Sequence, residues 1–191
     1  MSNRKKCFVR LMLVPLFLIV LSILHPNPGE GLGEHRSPTS ARARNLNATI
    51  FYTTTITILT YPYADYLYDA YNATYNITYP KLDWVSYNAA NPTPVPQDYE
   101  LLVMENDYLI VTVLPELGGR VYQLIDKATG QNHLYQNSVI KPTHWGPPEQ
   151  EWWMAVGGIE WCLPVDEHGY ESAIPWDWMA LISSDGVTVT V

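Results

Sequence analysis

The stretch ELLVMENDYLIVTVLP, from Glu100 to Pro115, decides the fold. It consists of two apolar runs, rich in leucine and valine, that flank Asn106-Asp107. β-Branched and aromatic side chains favour the pleated, half-buried surface of a strand. Asn and Asp favour tight turns because their side chains bond to the neighbouring backbone. The stretch therefore predicts two antiparallel strands joined by a short turn.

Two similar pairs of runs follow toward the C-terminus. RVYQLIDK and NHLYQNS flank ATGQ, whose Gly130 suits a positive φ angle. MALISS and VTVTV flank Asp185-Gly186, which is a strong signal for a hairpin. We therefore expect a β-meander after the opening pair of strands.

The segment on the N-terminal side also has strand character. ATIFYTTTITILTY, residues 48–61, is dense in β-branched and aromatic residues and predicts one or two strands. The body of the chain contains no long run of helical periodicity. We therefore predict an all-β protein.

Residues 1–24 have the features of a targeting segment. The basic stretch NRKK precedes an apolar run from Leu11 to Leu24, which is shorter than the about 20 residues of a spanning helix. We expect a signal peptide, with two alternatives: an uncleaved anchor that tethers the protein to a membrane through residues 7–24, or a buried helix. Basic charge at the start predicts that the body lies outside the cytoplasm, either secreted or membrane-anchored.

The rest of the chain divides into three predicted segments. Residues 25–46 are rich in Pro, Gly, Ser and Arg and predict a flexible linker. Residues 47–98 predict a β-strand and a tyrosine-rich extended arm, for which packing on a sheet is favoured over an aromatic binding face. Residues 99–191 predict a β-sheet part that stops inside a strand pattern. We expect this part to be truncated, or else to end in a bare edge strand.

Charge and cysteine content limit the classes of partner. The formal net charge is −8, and residues 45–191 hold four basic residues against seventeen acidic ones. Such a body repels phosphate backbones, so no nucleic-acid partner is expected. Cys7 and Cys162 are too few for a disulfide framework within the body. The acidity suits a neutral ligand such as a sugar, and no cofactor is expected.

Tryptophan and acidic residues concentrate in one region. Six of the seven tryptophans lie between residues 145 and 178, among carboxylates and His168, and His144 directly precedes the first of them. A pyranose packs its C–H face on an indole ring while carboxylates accept bonds from its hydroxyls. The candidate substrate-binding residues are Arg120, His144, Trp145, Trp152, Trp153, Trp161 and Asp166. The alternative is that these tryptophans fill a core and its loops, and that the loop carrying His144 and Trp145 is only a connection.

Glu160 lies inside the apolar strand pattern VGGIEW, residues 156–161. A lone buried carboxylate is costly, so Glu160 needs a partner. Arg120 is the natural one because no other arginine occurs after residue 44. The pair either locks two strands together or forms the floor of a cleft that binds a hydroxyl-rich ligand.

The candidate catalytic residues are Glu160, Glu167 and His168. DEHGY, residues 166–170, could supply a general acid and base with a shifted carboxylate pKa, or it could be a solvated turn. A glycosidase would need two carboxylates at a defined separation across a cleft. No metal is expected, because Asp166, Glu167 and His168 are too close together in the sequence and lack a distant fourth ligand.

Several motifs in one order resemble a known family. ENDYL, LPELGGRVY, KATG, LYQN, IKPTHWGPPE, GGIEW and PVDEHGY, between about residues 99 and 178, resemble the bacterial domain of unknown function 5107, often joined to tetratricopeptide repeats. That family is similar to galactose mutarotase-like domains, which are β-supersandwiches found in aldose epimerases. The resemblance implies a sugar-handling surface. Mutarotase-like domains are longer and take catalytic groups from late strands, so it implies only the N-terminal portion of the sandwich and an incomplete site.

The function expected from these observations is carbohydrate binding by an exported, mutarotase-like β-sandwich, with a sugar or oligosaccharide as ligand. One alternative is part of a glycoside hydrolase, lyase or epimerase with a Glu/His acid and base. Another is a cell-surface module whose aromatic face binds a protein.

Overall fold

The computed structural model describes residues 11–12, 49–164, 168–184 and 186–191. The targeting segment and the linker predicted for residues 1–46 therefore lie, apart from Leu11–Met12, outside the described residues. The strands are β1 (Leu11–Met12), β2 (Ile50–Thr60), β3 (Leu67–Asn72), β4 (Ile77–Leu82), β5 (Val95–Glu105), β6 (Leu109–Leu114), β7 (Arg120–Asp126), β8 (Gln136–Thr143), β9 (Trp153–Gly157), β10 (Met179–Ser183) and β11 (Gly186–Thr190). One α-helix, α1 (Trp84–Ala90), and two short 3₁₀ turns, Ala64–Tyr66 and Pro115–Leu117, accompany them in the described part of the chain. The prediction of an all-β, sandwich-like protein is confirmed.

The largest sheet has six strands in the order β7-β6-β5-β2-β8-β9. The hairpin predicted from residues 100–115 is confirmed as β5 and β6, with Leu102 opposite Val113. Its turn is held by the Asn106 side chain, whose Oδ1 accepts the backbone N–H groups of Tyr108 and Leu109 at 2.9 and 2.8 Å. β2 pairs with β5 along its whole length, so the predicted arm segment supplies a strand to this sheet.

The hairpin predicted between residues 120 and 138 is confirmed only next to its turn. The turn forms as expected, with Gly130 at a φ of 72°, but only an isolated bridge joins Ile125 to Asn132. The Asn132 side chain accepts the N–H groups of both Leu124 and Leu134, and this interrupts the ladder. β8 therefore begins at Gln136, where it runs antiparallel to β9 and briefly parallel to β2.

The two edges of the six-stranded sheet meet just after β9. Val121 of β7 and Ile159 form an antiparallel bridge with N–H···O distances of 3.2 and 2.8 Å. Gly158 permits this close approach, because its φ is +76° and an added Cβ would lie 2.4 Å from the Val121 carbonyl oxygen. Gly158 also donates to the Tyr135 carbonyl at 2.8 Å. This crossing carries the chain directly to Glu160.

Two smaller sheets complete the strand set of the described residues. β10 and β11 form the hairpin predicted around Asp185-Gly186, and β1 pairs with the other side of β11. β3 and β4 form a hairpin within the tyrosine-rich arm. This arm packs on the body, as the favoured interpretation expected. It forms a regular β-hairpin and not an extended segment. Tyr63 and Tyr79 are buried, and their hydroxyls donate to the carbonyls of Ala173 and Glu149 at 2.8 and 3.0 Å.

Helix α1 has a clear cap but little length. Asp83 Oδ1 accepts the backbone N–H groups of Val85 and Ser86 at 3.0 and 3.1 Å, which satisfies donors that the helix itself cannot use. Asn91 ends the helix in a left-handed conformation. Seven residues make about two turns. This is too short for a helical period to show in the sequence.

The core consists of two apolar clusters. The larger one packs the inner sides of β5, β8 and β9 around residues such as Leu101, Ile140 and Met154. The smaller one joins the other face of β5 and β6 to β11. Among the described residues, no helix is both long and apolar enough to cross a membrane.

Candidate functional site

The Glu160 carboxylate is the centre of a network of nitrogen donors. Trp153 Nε1 donates to Glu160 Oε2 at 2.6 Å, and Arg120 Nη2 lies 3.4 Å from the same oxygen. His168 Nδ1 lies 3.3 Å from Oε1. The Glu160 side chain is 14% exposed. The predicted pair of Arg120 and Glu160 is confirmed, and a histidine and an indole join it.

Arg120 supports the Glu160 network from the interior of the protein. Its side chain is 1% exposed. Its Nε donates to the Leu117 carbonyl at 2.8 Å, its Nη1 to the Gly157 carbonyl at 3.0 Å and its Nη2 to the Ser172 carbonyl at 2.8 Å. Burial lowers the pKa of Arg120, and the charge of Glu160 opposes that change. The expectation that Arg120 touches a ligand is corrected: it is a buried residue that positions Glu160.

His168 lies in the turn that follows the apolar stretch. Its φ is 66°, and the turn closes where Tyr170 N–H donates to the Leu163 carbonyl at 2.9 Å. The His168 ring lies 5.0 Å from the Trp153 ring. Glu160 and Trp153 therefore fix one side of the imidazole. Asp166 and Glu167 precede His168 and lie outside the described residues, so their predicted roles stay predictions.

An open cleft of about 490 Å³ lies beside this network. We call it the Trp145 cleft; its lining residues are Tyr75, Trp145, Gly146, Pro147, Pro148, Glu149 and His168. Trp145 is 72% exposed. The exposed Glu149 accepts the Tyr170 hydroxyl on Oε2 at 3.0 Å. The cleft therefore combines aromatic rings, a carboxylate and a histidine whose ring nitrogen contacts Glu160.

The remaining candidate residues do not converge on this cleft. Trp152 is 1% exposed and donates its Nε1–H to the Pro80 carbonyl at 3.0 Å, so its predicted contact with a ligand is corrected to a place in the core. Trp161 is partly buried and donates to the Gly119 carbonyl at 2.8 Å. The ring of His144 stacks on that of Trp84 in α1 at 3.8 Å. His144 therefore anchors the loop that contains Trp145 to α1.

Sequence reasoning missed two residues of the cleft, Tyr75 and Glu149. Tyr75 lies in the turn between β3 and β4, in an arm for which packing was the favoured interpretation. Glu149 is the last residue of the motif IKPTHWGPPE, but no role was assigned to it. The signal available for Tyr75 was its place in a tyrosine-rich turn. The signal available for Glu149 was its position four residues after Trp145.

Metal ligation finds no support in residues 11–12, 49–164, 168–184 and 186–191. Within these ranges no group of three His, Cys, Asp or Glu side chains is arranged to hold an ion. Cys162 is exposed and forms no disulfide.

Comparison with known proteins gives a family and a fold. Residues 74–191 match the model of a family described as Domain of unknown function (DUF5107). The crystal structure of a TPR-domain containing protein from Parabacteroides distasonis is similar, with a TM-score of 0.57 and 21% sequence identity. The match covers 75% of this chain and 24% of that chain, so this chain spans about a quarter of the length of that protein. At this identity the likeness shows a shared fold.

Proposed function

The chain belongs to the family described as Domain of unknown function (DUF5107), and on that premise we propose that it is a carbohydrate-binding domain of galactose mutarotase-like type. The ligand is a neutral sugar or oligosaccharide, and the site is the Trp145 cleft. The observation that carries the proposal is the presence of an exposed indole, a carboxylate and a carboxylate-supported histidine in one cleft.

The aromatic wall supplies the apolar half of sugar recognition. Trp145 is 72% exposed and Tyr75 is 40% exposed, and both line the cleft. When the C–H face of a pyranose packs on such rings, their apolar surface is removed from water, and no charge on the ligand is needed. The prolines on both sides of Gly146 and the stacked His144 restrict the loop, so little ordering is needed on binding.

The polar half comes from groups that are already held in place. Glu149 is fixed by the Tyr170 hydroxyl and can accept a bond from a sugar hydroxyl. His168 is fixed by Glu160 on its Nδ1 side. The cleft volume of about 490 Å³ lies within the range of about 300–1,000 Å³ for small-molecule sites. These features favour a small, uncharged, hydroxyl-rich ligand.

The proposal is tested by titrating the protein with a panel of mono- and oligosaccharides. Trp145→Ala should weaken binding of the best ligand about two- to tenfold, because covering about 20–60 Å² of apolar ring surface, at about 25 cal/mol per Å², contributes about 0.5–1.5 kcal/mol. Trp178→Ala, a second exposed tryptophan outside the cleft, serves as the matched control and should bind normally. A flat response to the whole panel, or equal losses in both variants, would contradict the proposal.

A second candidate function is acid–base catalysis on the bound sugar. The contact of 3.3 Å between Glu160 Oε1 and His168 Nδ1 favours it, because a carboxylate at Nδ1 orients the imidazole and selects its tautomer. In this function His168 transfers a proton to or from the sugar. His168→Asn should then abolish any anomer exchange or hydrolysis seen by NMR while leaving binding measurable. Turnover that persists in His168→Asn would remove the histidine from the reaction.

We also propose that the domain meets its ligand outside the cytoplasm. The support is the basic start and the apolar run of residues 1–24. A reporter that is active only after export, fused after residue 24, should become active. A cytoplasmic, inactive reporter would contradict this part of the proposal without bearing on the cleft.

A further inference from the structure

A second cleft lies on another part of the surface, and we propose that it binds an organic cation: an alkylammonium or guanidinium group on an apolar stem. This cleft, the Trp178 cleft, has a volume of about 470 Å³. Its aromatic walls are Trp176 and Trp178, and its carboxylates are Glu100, Glu116 and Asp177. The inference does not depend on the proposed sugar site.

The walls of the Trp178 cleft are held by main-chain and side-chain bonds. Trp176 N–H donates to the Pro115 carbonyl at 3.0 Å, which ties the segment before β10 to the 3₁₀ turn. The Trp176 indole donates to the Glu171 carbonyl at 2.9 Å. The Trp178 ring packs against Phe51 of β2, with 5.9 Å between their centroids. The cleft is thus built from three elements that are bonded or packed together.

The carboxylates of the cleft are not neutralised by the described basic residues. Three of the four basic residues between 49 and 191 form ion pairs elsewhere: Lys81 with Glu151, Lys127 with Glu105 and Arg120 with Glu160. The described lining contains no lysine, arginine or histidine. Carboxylates gathered around one open cleft create a negative local potential, which attracts a cation.

Geometry and aromatic character restrict the cation further. Glu116 Oε1 accepts the Glu100 backbone N–H at 2.6 Å, so this carboxylate has a fixed position. Trp178 is 37% exposed, and an indole face attracts an ammonium or guanidinium group. Pro115 and Pro175 add apolar surface for a stem. A bare metal ion would leave these apolar walls unused, and an anion would be repelled.

The test measures binding of n-butylammonium and of N-acetylarginine methylamide by calorimetry, with n-butanol as the neutral analogue of the same shape. Both cations should bind and n-butanol should not. Glu116→Gln and Asp177→Asn should each weaken cation binding about two- to fivefold, as the loss of one exposed charge partner does. Glutamine keeps an oxygen for the Glu100 N–H, so Glu116→Gln should fold normally. Rising salt should weaken binding.

Two controls make the result specific to this cleft. Trp178→Ala should weaken cation binding, whereas Trp145→Ala should leave it unchanged. Circular dichroism of each variant shows whether it is folded. Equal affinity for n-butanol and n-butylammonium, or unchanged cation binding in a folded Glu116→Gln/Asp177→Asn double variant, would overturn the proposal.

Discussion

Arg120 places a full charge in an interior where an unpaired charge would be very unfavourable. Its guanidinium bonds to the carbonyls of Leu117, Gly157 and Ser172 and contacts Glu160. These partners come from parts of the chain that are far apart in sequence. One side chain therefore links the turn before β7, the end of β9 and the segment that follows His168.

Arg120→Ala should destabilise the fold strongly. Loss of one member of a buried pair leaves the other uncompensated and typically costs about 3–5 kcal/mol in the free energy of unfolding. Urea denaturation followed by tryptophan fluorescence measures the change. Lys141→Ala, at an exposed basic residue of β8, should change stability by no more than about 0.5 kcal/mol. Equal midpoints for wild type and Arg120→Ala would show that the pair does not support the fold.

Some residue positions could be predicted from the sequence and others could not. The pair of Arg120 and Glu160 was predictable, because a glutamate in an apolar run needs a partner and the body has one arginine. Trp152 and Trp145 could not be separated by type, yet one is in the core and the other at the surface. The contribution of Tyr75 to the Trp145 cleft depends on how a hairpin packs some seventy residues away, and no local pattern encodes that.

At the scale of elements, turn chemistry decided which predictions succeeded. Asn106-Asp107 joins β5 to β6 as expected, and β10 pairs with β11, which begins at Gly186. ATGQ makes an equally good turn, but the side chain of Asn132 bonds to the backbone on both sides and ends the pairing. Side-chain competition of this kind is invisible to an analysis of periodicity. Periodicity does not reveal α1 either, because the helix is short. Its N-cap residue, Asp83, is the stronger sequence signal for it.

Gly158→Ala should destabilise the crossing between the sheet edges. The positive φ costs a non-glycine residue about 1–2 kcal/mol, and the contact with the Val121 carbonyl adds to that cost. Gly130→Ala is the matched control, because Gly130 has a similar φ of +72° but no atom within 4 Å of an added Cβ. Thermal denaturation should show a larger loss for Gly158→Ala. Equal losses would mean that the crossing relaxes without cost.

Asp83→Ala should lower the melting temperature at neutral pH by removing the cap of α1. The hydrogen bonds from the Ser86 side chain, the Ser86 backbone and the Val85 backbone lower the pKa of Asp83. The cap contribution is therefore complete above the ordinary pKa of Asp, about 3.9, and declines as pH falls through the lower folded-state pKa. Melting curves of both proteins should converge on acidification. Melting curves that stay apart at acidic pH would contradict this explanation of the cap.

At the scale of the whole molecule, charged and aromatic residues that are close together in the sequence lie in separate parts of the structure. The tryptophans between 145 and 178 divide among the core, the Glu160 network and two clefts. Both clefts contain carboxylates, and they differ in what accompanies them: a histidine in the Trp145 cleft and none in the described lining of the Trp178 cleft. The acidic composition predicts that nucleic acid is not a partner, which stays a prediction, and it did not predict this division.

Chelation should leave the folded protein unchanged. The described residues hold no ligand cluster for an ion, and the two apolar clusters with the Arg120 network account for their packing. The melting temperature should be the same with and without EDTA, as measured by circular dichroism. A fall of several degrees with EDTA that is reversed by adding back a divalent ion would contradict this expectation.

The bridge between Val121 and Ile159 has a consequence for the order in which the protein forms. β5, β6 and β7 are neighbours in sequence and can pair as soon as they leave the ribosome, whereas the bridge must close a loop of about forty residues. Glu160 is the very next residue, so its contact with Arg120 arises together with that late closure. A nascent chain that ends before residue 159 can therefore form the meander but not the contact between Glu160 and Arg120, so this contact marks completion of the fold.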